Sequence, residues 1–365
     1  MNILRFKVLK NHRPLLLYQI IFYFSLFIIL STAIPLIRND YWVFRVFEYP
    51  RLQKLILNAL LLATLLIFFF PVEVKEIALT IALALNLIYL GIKVYPFTPL
   101  APKQLVKSSG NNAANSIKLL VSNVFQDNQN SAAYHQLIKE CSPDLVLMVE
   151  TNRWWEAQMA GIESNYPYQI KEPLENTYGM MLYSRLKLSD GAVRYLVEDD
   201  IPSIEVNVSL KSGQQVKLYC LHPKPPVPQE SATSTERDRE ILLVGQKAKS
   251  SPIPVIVAGD LNDVAWSYTT ELFSKTSGLL DPRKGRGFFN SFNAKYFFLR
   301  FPLDHIFCSS HFSLKSINTL DSCGSDHFPI CVELQYDTHA ELINEEPEAT
   351  PEDMELAQEK INKDS

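Results

Sequence analysis

Residues 254–263 read PVIVAGDLND, and residues 324–334 read GSDHFPICVEL. In the first, the apolar run Val255–Ala258 stops abruptly at Gly259-Asp260-Leu261-Asn262. In the second, Ser325-Asp326-His327 stands just ahead of the apolar run Ile330–Leu334. Short apolar runs bounded by turn residues read as buried strands. A charged or polar group at the end of such a strand is costly unless it is paired or binds a metal.

The same arrangement recurs upstream. Ile117–Val121 runs through Ser122 into Asn123, Leu145–Val149 ends in Glu150, and Val216–Leu221 ends in His222. Asp304 stands at the head of the run His305–Cys308. One polar strand end is usually a cap. Several at the same kind of position imply strand ends that converge on one pocket.

With Gly179–Tyr183 and Ile204–Leu210 added, these strands outnumber the helical stretches Ser131–Glu140, Asn152–Gly161, Ser231–Lys249 and Ser267–Lys275. The expectation is α+β: a four-layer α/β/β/α sandwich of two packed, mainly antiparallel sheets with helices outside.

Charge divides the 365 residues into three pieces. Residues 1–107 hold 12 Lys/Arg against 4 Asp/Glu, residues 108–336 hold 21 against 25, and residues 337–365 hold 2 against 10. A mean hydropathy of −0.00 therefore averages unlike parts. Global disorder and a small disulfide scaffold are both excluded, the latter because five scattered cysteines are too few. Cys220, Cys308 and Cys331 fall in apolar strands and read as buried thiols, and Cys141 and Cys323 lie outside them.

The first piece carries three uncharged runs, Leu15–Ile37, Leu55–Val72 and Ile77–Ile92. A membrane-crossing helix needs about 20 apolar residues. Residues 1–95 are expected to be an anchor of about three transmembrane helices, the last extended by Val94 and Tyr95 with Lys93 snorkelling. Arg5, Lys7, Lys10 and Arg13 ahead of the first run put the N-terminus in the cytoplasm and the catalytic part outside it. Arg38, Arg45, Arg51, Lys54, Lys103 and Lys107, and the absence of a disulfide framework, weigh the other way. Residues 96–116 read as a flexible linker, 117–336 as one catalytic domain, and 337–365 as an acidic, disordered tail.

Glu, Asp and Asn oxygens without a thiolate suit a hard cation, Mg2+ or Mn2+. Two imidazoles beside carboxylates can move protons and neutralise an oxyanion. Together these parts fit metal-assisted phosphoester hydrolysis. The sequence contains no G-x-S-x-G, H-E-x-x-H, C-x-x-C or glycine-rich phosphate loop.

AGDLND and GSDHFP, with DLVLMVETN around Glu150, PLDHIF around Asp304 and GMMLYSR from Gly179 to Arg185, resemble the endonuclease/exonuclease/phosphatase superfamily across residues 116–336. The run through LLDPRKGRG is similar to its membrane-anchored bacterial branch, which implies a multi-pass protein of the bacterial inner membrane. The resemblance implies roles. Glu150 would be the principal metal ligand, with Asn123 beside it and Asp326 completing the metal environment. Asp260 would deprotonate the attacking water, and Asn262 would hold that water or the phosphate. His327, kept in register by Asp304, would contact the phosphate, and His222 would be a general acid or charge stabiliser. Relatives with a second metal carry an acid where this chain has Phe125, so one tightly bound ion is expected, unless Asp127 or Asn128 substitutes.

The substrate is expected to be a phosphoester, first of all in nucleic acid, with a phospholipid or small phosphoester as the alternative. A non-catalytic membrane module of the same fold is a third reading, disfavoured because every expected catalytic position is present. The net charge of the domain argues against tight binding of a duplex. One stretch differs: Arg283, Lys284, Arg286, Lys295 and Arg300 alternate with Phe288, Phe289, Phe292, Tyr296, Phe297 and Phe298. Such interleaving could stack bases, rest on anionic lipid, or be a hairpin with core aromatics.

Overall fold

The computed structural model describes residues 15–69, 73–110 and 112–363. It divides into two compact units: residues up to Asn39 with Val43–Tyr95, and Asp40–Trp42 with residues from Pro96 onward. Arg5, Lys7, Lys10 and Arg13, on which the orientation rests, lie outside the described residues.

The first unit contains α1 (Leu15–Ala33), α2 (Arg51–Phe68) and α3 (Val74–Val94). Three segments, Leu16–Leu36, Arg51–Phe68 and Val74–Phe97, are long and apolar enough to cross a membrane. Leu, Ile and Phe side chains cover their outside, and polar groups are kept within. Asn86 Nδ2 donates to Asn58 Oδ1 at 2.9 Å, and Asn58 Nδ2 donates to the Leu83 carbonyl at 2.9 Å. Such bonds between helices satisfy groups that lipid cannot.

The second unit is built on two sheets. The six-stranded sheet runs β10-β11-β1-β2-β4-β3 and the five-stranded sheet β5-β6-β7-β8-β9. The strands are β1 Ser116–Asn123, β2 Leu145–Val149, β3 Tyr168–Glu172, β4 Met180–Ser184, β5 Lys187–Arg194 and β6 Ser203–Ser209. They continue with β7 Gln215–Leu221, β8 Val255–Asp260, β9 Asp304–Cys308, β10 Phe312–Thr319 and β11 Ile330–Tyr336. Among the ladders between these described strands, β1/β2 and β7/β8 pair in parallel and the others are antiparallel.

Side chains alternate across both central pairs because both faces of each sheet are covered. Leu119, Val121, Leu147, Leu218, Ile256 and Ala258 enter the core between the sheets. Leu120, Val146 and Met148 face outward onto α4 (Ser131–Cys141) and α5 (Arg153–Met159), where Trp155 is fully buried. Val255 and Val257 face α6 (Thr235–Lys249), α7 (Tyr268–Ser277) and α8 (Pro351–Asn362). The fold is α+β, with two face-to-face sheets and outer helices, as expected.

The structure differs from the sequence expectation at both margins of this unit. Residues 96–116 are not a loose linker. Leu105 is buried in the inter-sheet core, and Leu314 N donates to the Val106 carbonyl at 2.8 Å. Ser108 N returns a bond to the Leu314 carbonyl at 2.8 Å, and Gly285 N bonds the Pro96 carbonyl at 2.7 Å. The segment is a strap along β10. The acidic tail is not disordered either. Thr350 and Asp353 close a capping box at the start of α8, which packs Ala357 and Ile361 onto the outer core. Its Lys360 reaches Asp40 Oδ1 at 2.6 Å and Asp238 Oδ2 at 2.8 Å, and all three residues are buried.

On α6, Glu240 faces inward beside the Ser203 hydroxyl. Burial, with the Glu198 charge adding to it, pushes its carboxyl up to about 7 against the opposing Ser203 bond. Below pH 4.5 both folded and unfolded chains hold this proton. Between there and pH 7 only the folded chain does, so stability falls with rising pH by about 3 kcal/mol and then levels off. Glu240→Gln should remove that slope and raise stability at pH 8. Urea unfolding of the detergent-solubilised chain at pH 5 and pH 8 checks it; equal slopes in both proteins would refute it.

Candidate active site

Strand direction explains why the polar ends meet. β1 and β2 run in parallel with Asn123 opposite Val149, so Asn123 and Glu150 leave the sheet side by side. β11 runs antiparallel to β1 with Ile330 opposite Val121, which returns Ser325-Asp326-His327 to the same edge. In the other sheet, Leu221 lies opposite Gly259, placing His222 beside Asp260, and antiparallel β9 sets Asp304 opposite Asp260. Gly259 (φ 143°) is required by this approach: a Cβ there would lie 1.9 Å from the Leu221 carbonyl oxygen.

Two hydrogen-bonded groups result. Asn123 Nδ2 donates to Glu150 Oε1 at 2.6 Å and to Asp260 Oδ2 at 3.0 Å, bridging the two sheets. His327 Nδ1 bonds Asp304 Oδ2 at 2.7 Å. Between these groups, Asp260 Oδ2 is flanked by His327 Nε2 at 3.6 Å and His222 Nε2 at 3.9 Å. Both imidazoles stop beyond hydrogen-bond distance of the carboxylate. Backbone strain surrounds the site. Phe125 (φ 57°), Glu150 (φ 59°) and Asn262 (φ 50°) are all left-handed, at a cost of about 1–3 kcal/mol each.

Supporting bonds fix each group. Asn262 N donates to Asp260 Oδ1 at 2.9 Å, and Asn262 Nδ2 donates to the Pro223 carbonyl at 2.9 Å. The Asn262 carbonyl accepts from Arg237 Nη1 at 2.8 Å. Ser325 Oγ donates to the Asn123 carbonyl at 2.9 Å, and Asp304 N donates to Ser291 Oγ at 3.0 Å. Tyr178 packs its ring against His222 with centroids 5.4 Å apart. Sequence reading passed over Arg237, Ser291 and Tyr178. Arg237 sits in a charge-rich helix that reads as solvated, and yet it is 1% exposed.

Burial pushes the Asp260 carboxyl up, but His327, His222 and the Asn262 amide outweigh it and hold it below the usual carboxylate range. Burial pushes His327 down, and Asp304 and Asp260 reverse this, raising the imidazole to about 10. Burial raises Glu150, opposed by His222 and the Asn123 amide.

The ligand atoms of Asp260, Asp304 and His327 lie within 4.8 Å of one another, close enough to hold a metal ion. The donor set around them suits a hard cation: carboxylate and amide oxygens, with Asp304 Oδ1 buried and without a hydrogen-bond partner. Asp326 is part-exposed and outside that cluster; its carbonyl accepts from Ala294 N at 2.7 Å. Asp127 is exposed, and Asn128 Nδ2 is engaged by the Val124 and Cys323 carbonyls, each at 3.1 Å.

His305 is structural. Burial and the Arg283 charge hold its imidazole down to about 3. The neutral ring accepts from Arg283 Nη2 at 2.7 Å and donates to the Asp263 carbonyl at 2.8 Å.

The interleaved basic–aromatic stretch splits in two. Arg283 is 1% exposed and paired with Asp281, Arg286 donates to the Pro282 and Leu105 carbonyls, and Phe288 packs on Trp266. Lys295–Leu299 is exposed.

No curated protein matches the chain. Among solved structures it is similar to a humanized D. rerio TDP2, with 17% identity, a TM-score of 0.51, and coverage of 60% of this chain and 99% of that one. D. rerio TDP2 complexed with a single-strand DNA product is similar at 18% identity and a TM-score of 0.51, covering 60% and 99%. An endonuclease/exonuclease/phosphatase protein from Beutenbergia cavernae matches at 15% identity and a TM-score of 0.51, covering 61% and 72%. These likenesses concern the fold. The Endonuclease/Exonuclease/phosphatase family profile matches residues 120–327, more than half of the chain, and the chain belongs to that family.

Proposed function

We propose that this protein is a membrane-anchored, divalent-metal-dependent phosphodiesterase that hydrolyses its substrate by in-line attack of water. One observation carries the reading: a buried carboxylate, Asp260, stands between two imidazoles, one of them held by a second carboxylate at 2.7 Å.

Asp260 orients the attacking water and takes its proton, its basicity set by the two flanking rings. His327, fixed by Asp304, presents a positive Nε2–H to a phosphate oxygen and neutralises charge as it develops. His222 approaches the same carboxylate oxygen, 3.9 Å away, and protonates the leaving oxygen. Asn262 acts by position: its backbone N–H fixes Asp260, and its side-chain NH2 ties the loop to Pro223. Glu150, with Asn123 beside it, is the metal end of the site, because the bond between Asp304 and His327 commits both to orienting the imidazole. A single Mg2+ or Mn2+ bound there supplies Lewis-acid polarisation of the phosphoryl group. Asp326 adds negative charge at the rim.

A nucleic-acid phosphodiester is supported by the family's nuclease members and by the DNA product held by the D. rerio relative. Against it stand the acidic balance of residues 108–336 and the inward commitment of Arg283 and Arg286. A lipid phosphodiester is the second reading, favoured by the exposed aromatic run beside the site. The three candidate spans support a multi-pass protein, and a bacterial inner membrane with the catalytic unit on the outer side is the arrangement proposed.

The full chain in detergent, with Mg2+ or Mn2+, should hydrolyse bis(p-nitrophenyl) phosphate and at least one of plasmid DNA, RNA and phospholipid. EDTA should stop the reaction, and either ion should restore it. No hydrolysis of any of these, together with no divalent-ion binding by calorimetry, would leave the non-catalytic module.

A further inference from the structure

The segment Ser291–Phe301 leaves the catalytic wall and returns to it. At its base, Phe292 pairs by backbone with both Phe301 and His327, and its ring lies 5.0 Å from the His327 ring. Ala294 N donates to the Asp326 carbonyl at 2.7 Å. Its tip is closed by Asn293 N to the Leu299 carbonyl at 3.2 Å and Leu299 N to the Tyr296 carbonyl at 3.1 Å. The loop is therefore built onto the residues that face the phosphate.

Its tip is apolar and in water. Tyr296, Phe297, Phe298 and Leu299 are 55%, 78%, 56% and 43% exposed. Among the described residues of the catalytic unit, no other run of four large hydrophobic side chains is exposed. A contiguous apolar patch of this kind marks an interaction surface. The ring geometry bears on which one. Phe297 and Phe298 meet edge to face at 87° with centroids 5.4 Å apart, and Tyr296 is tilted 55° to Phe298. A platform for successive nucleobases presents open faces on which bases can lie parallel. These rings instead pack edge on face as a small cluster beside an aliphatic residue, which suits the acyl–headgroup boundary of a bilayer.

Charge agrees with that choice. Lys295 and Arg300 flank the tip, with Lys295 Nζ 4.8 Å over the Phe125 ring and the Arg300 guanidinium 4.8 Å over the Phe328 ring. Phe125 donates its N–H to Asn123, and Phe328 follows His327. The two cations thus stand between the apolar tip and the site, where anionic headgroups would lie. Three candidate membrane spans in the same chain keep the catalytic unit within tether reach of lipid.

We propose that Tyr296–Leu299 is a lipid-docking tip and that the phosphodiester delivered to Asp260 and His327 belongs to a lipid headgroup. The second part rests on the phosphodiesterase reading above; the first does not.

The test uses the full chain in proteoliposomes containing anionic phospholipid. Phe297→Trp adds a reporter to the native Trp42, Trp154, Trp155 and Trp266, whose emission is subtracted using the parent protein. Tyr195→Trp, at a residue 42% exposed elsewhere on the unit, is the control. Brominated acyl chains should quench the Phe297→Trp component and not the Tyr195→Trp component, including when Asp260→Asn is also present. Quenching by iodide alone overturns lipid docking, and quenching by a single-stranded oligonucleotide in its place assigns the tip to nucleic acid.

Phe297→Asp should lower the ratio of lipid to bis(p-nitrophenyl) phosphate hydrolysis roughly tenfold or more, as expected when a phenyl ring loses its burial. An equal fall for both substrates overturns the headgroup assignment. Absence of all hydrolysis by the parent chain overturns the enzymatic reading, while the quenching result stands on its own.

Discussion

Asp260→Asn should lower the turnover of bis(p-nitrophenyl) phosphate by on the order of 10³-fold, with little change in substrate affinity and only a modest fall in unfolding temperature. The substitution preserves shape and keeps the Asn262 N–H contact through its one oxygen, so the loop keeps its anchor, while its NH2 group gives up the bond from Asn123 Nδ2. It removes the carboxylate proposed to accept the proton of water, since an amide has no basicity near neutral pH. It also removes a negative charge that holds His327 protonated, leaving Asp304, with a smaller contribution from Asp326, to do so. Steady-state kinetics beside a thermal melt measure both consequences. A variant that keeps a tenth of the parent rate while folded would exclude Asp260 as the base.

Arg283→Met should cost about 3–5 kcal/mol of folding free energy. Asp281 is 1% exposed, and Arg283 holds it through a forked pair, Nε to Oδ1 at 2.9 Å and Nη2 to Oδ2 at 2.8 Å. Without the guanidinium, an anion remains buried without its cation. The same guanidinium donates to His305 and, at 3.2 Å, to the Asp304 carbonyl, so the start of β9 loosens as well. Asp281→Asn combined with Arg283→Met should recover part of the loss, because no charge is then stranded. Denaturant unfolding of the three variants measures this; a loss below about 1 kcal/mol for Arg283→Met would show that the pair is not buried as described.

The parts of this protein legible in its sequence share one property: their signal is local. β1, β2, β7 and β8 are apolar on both faces because both faces are covered, so they stand out as short runs, and the polar residues at their ends mark the pocket. The unread strands are edges or near-edges. β3 and β5 are half-exposed, and β5 contains a bulge at Asp190-Gly191 between Ser189 and Ala192, so neither alternates cleanly. β10 carries Ser313, Lys315, Ser316 and Asn318.

In α8 the signals were present: Pro351 after Thr350, Asp353 three residues past the cap, and a stripe of Met354, Ala357 and Ile361. Ten acidic residues in the last piece outweighed them. Partner choice is what sequence does not carry. Nothing in STERDRE at 234–240 separates Arg237 and Asp238, which are buried and paired, from Arg239 beside them.

The ion pairs of Lys360 and Lys363 with Asp40 bear on how this protein can be cut down for study. Asp40, Tyr41 and Trp42 precede the second candidate span in the chain, yet they belong to the second unit, where Trp42 N bonds the Ala232 carbonyl at 2.9 Å. A soluble fragment started at Pro96 would omit them. It would take Asp40 away from Lys360, whose other carboxylate, Asp238, lies on the helix whose Arg237 holds the Asn262 carbonyl beside the candidate site. Supplying residues 38–44 as a separate peptide should therefore restore stability that such a fragment lacks, and a gain in its melting temperature on adding the peptide would register the repair.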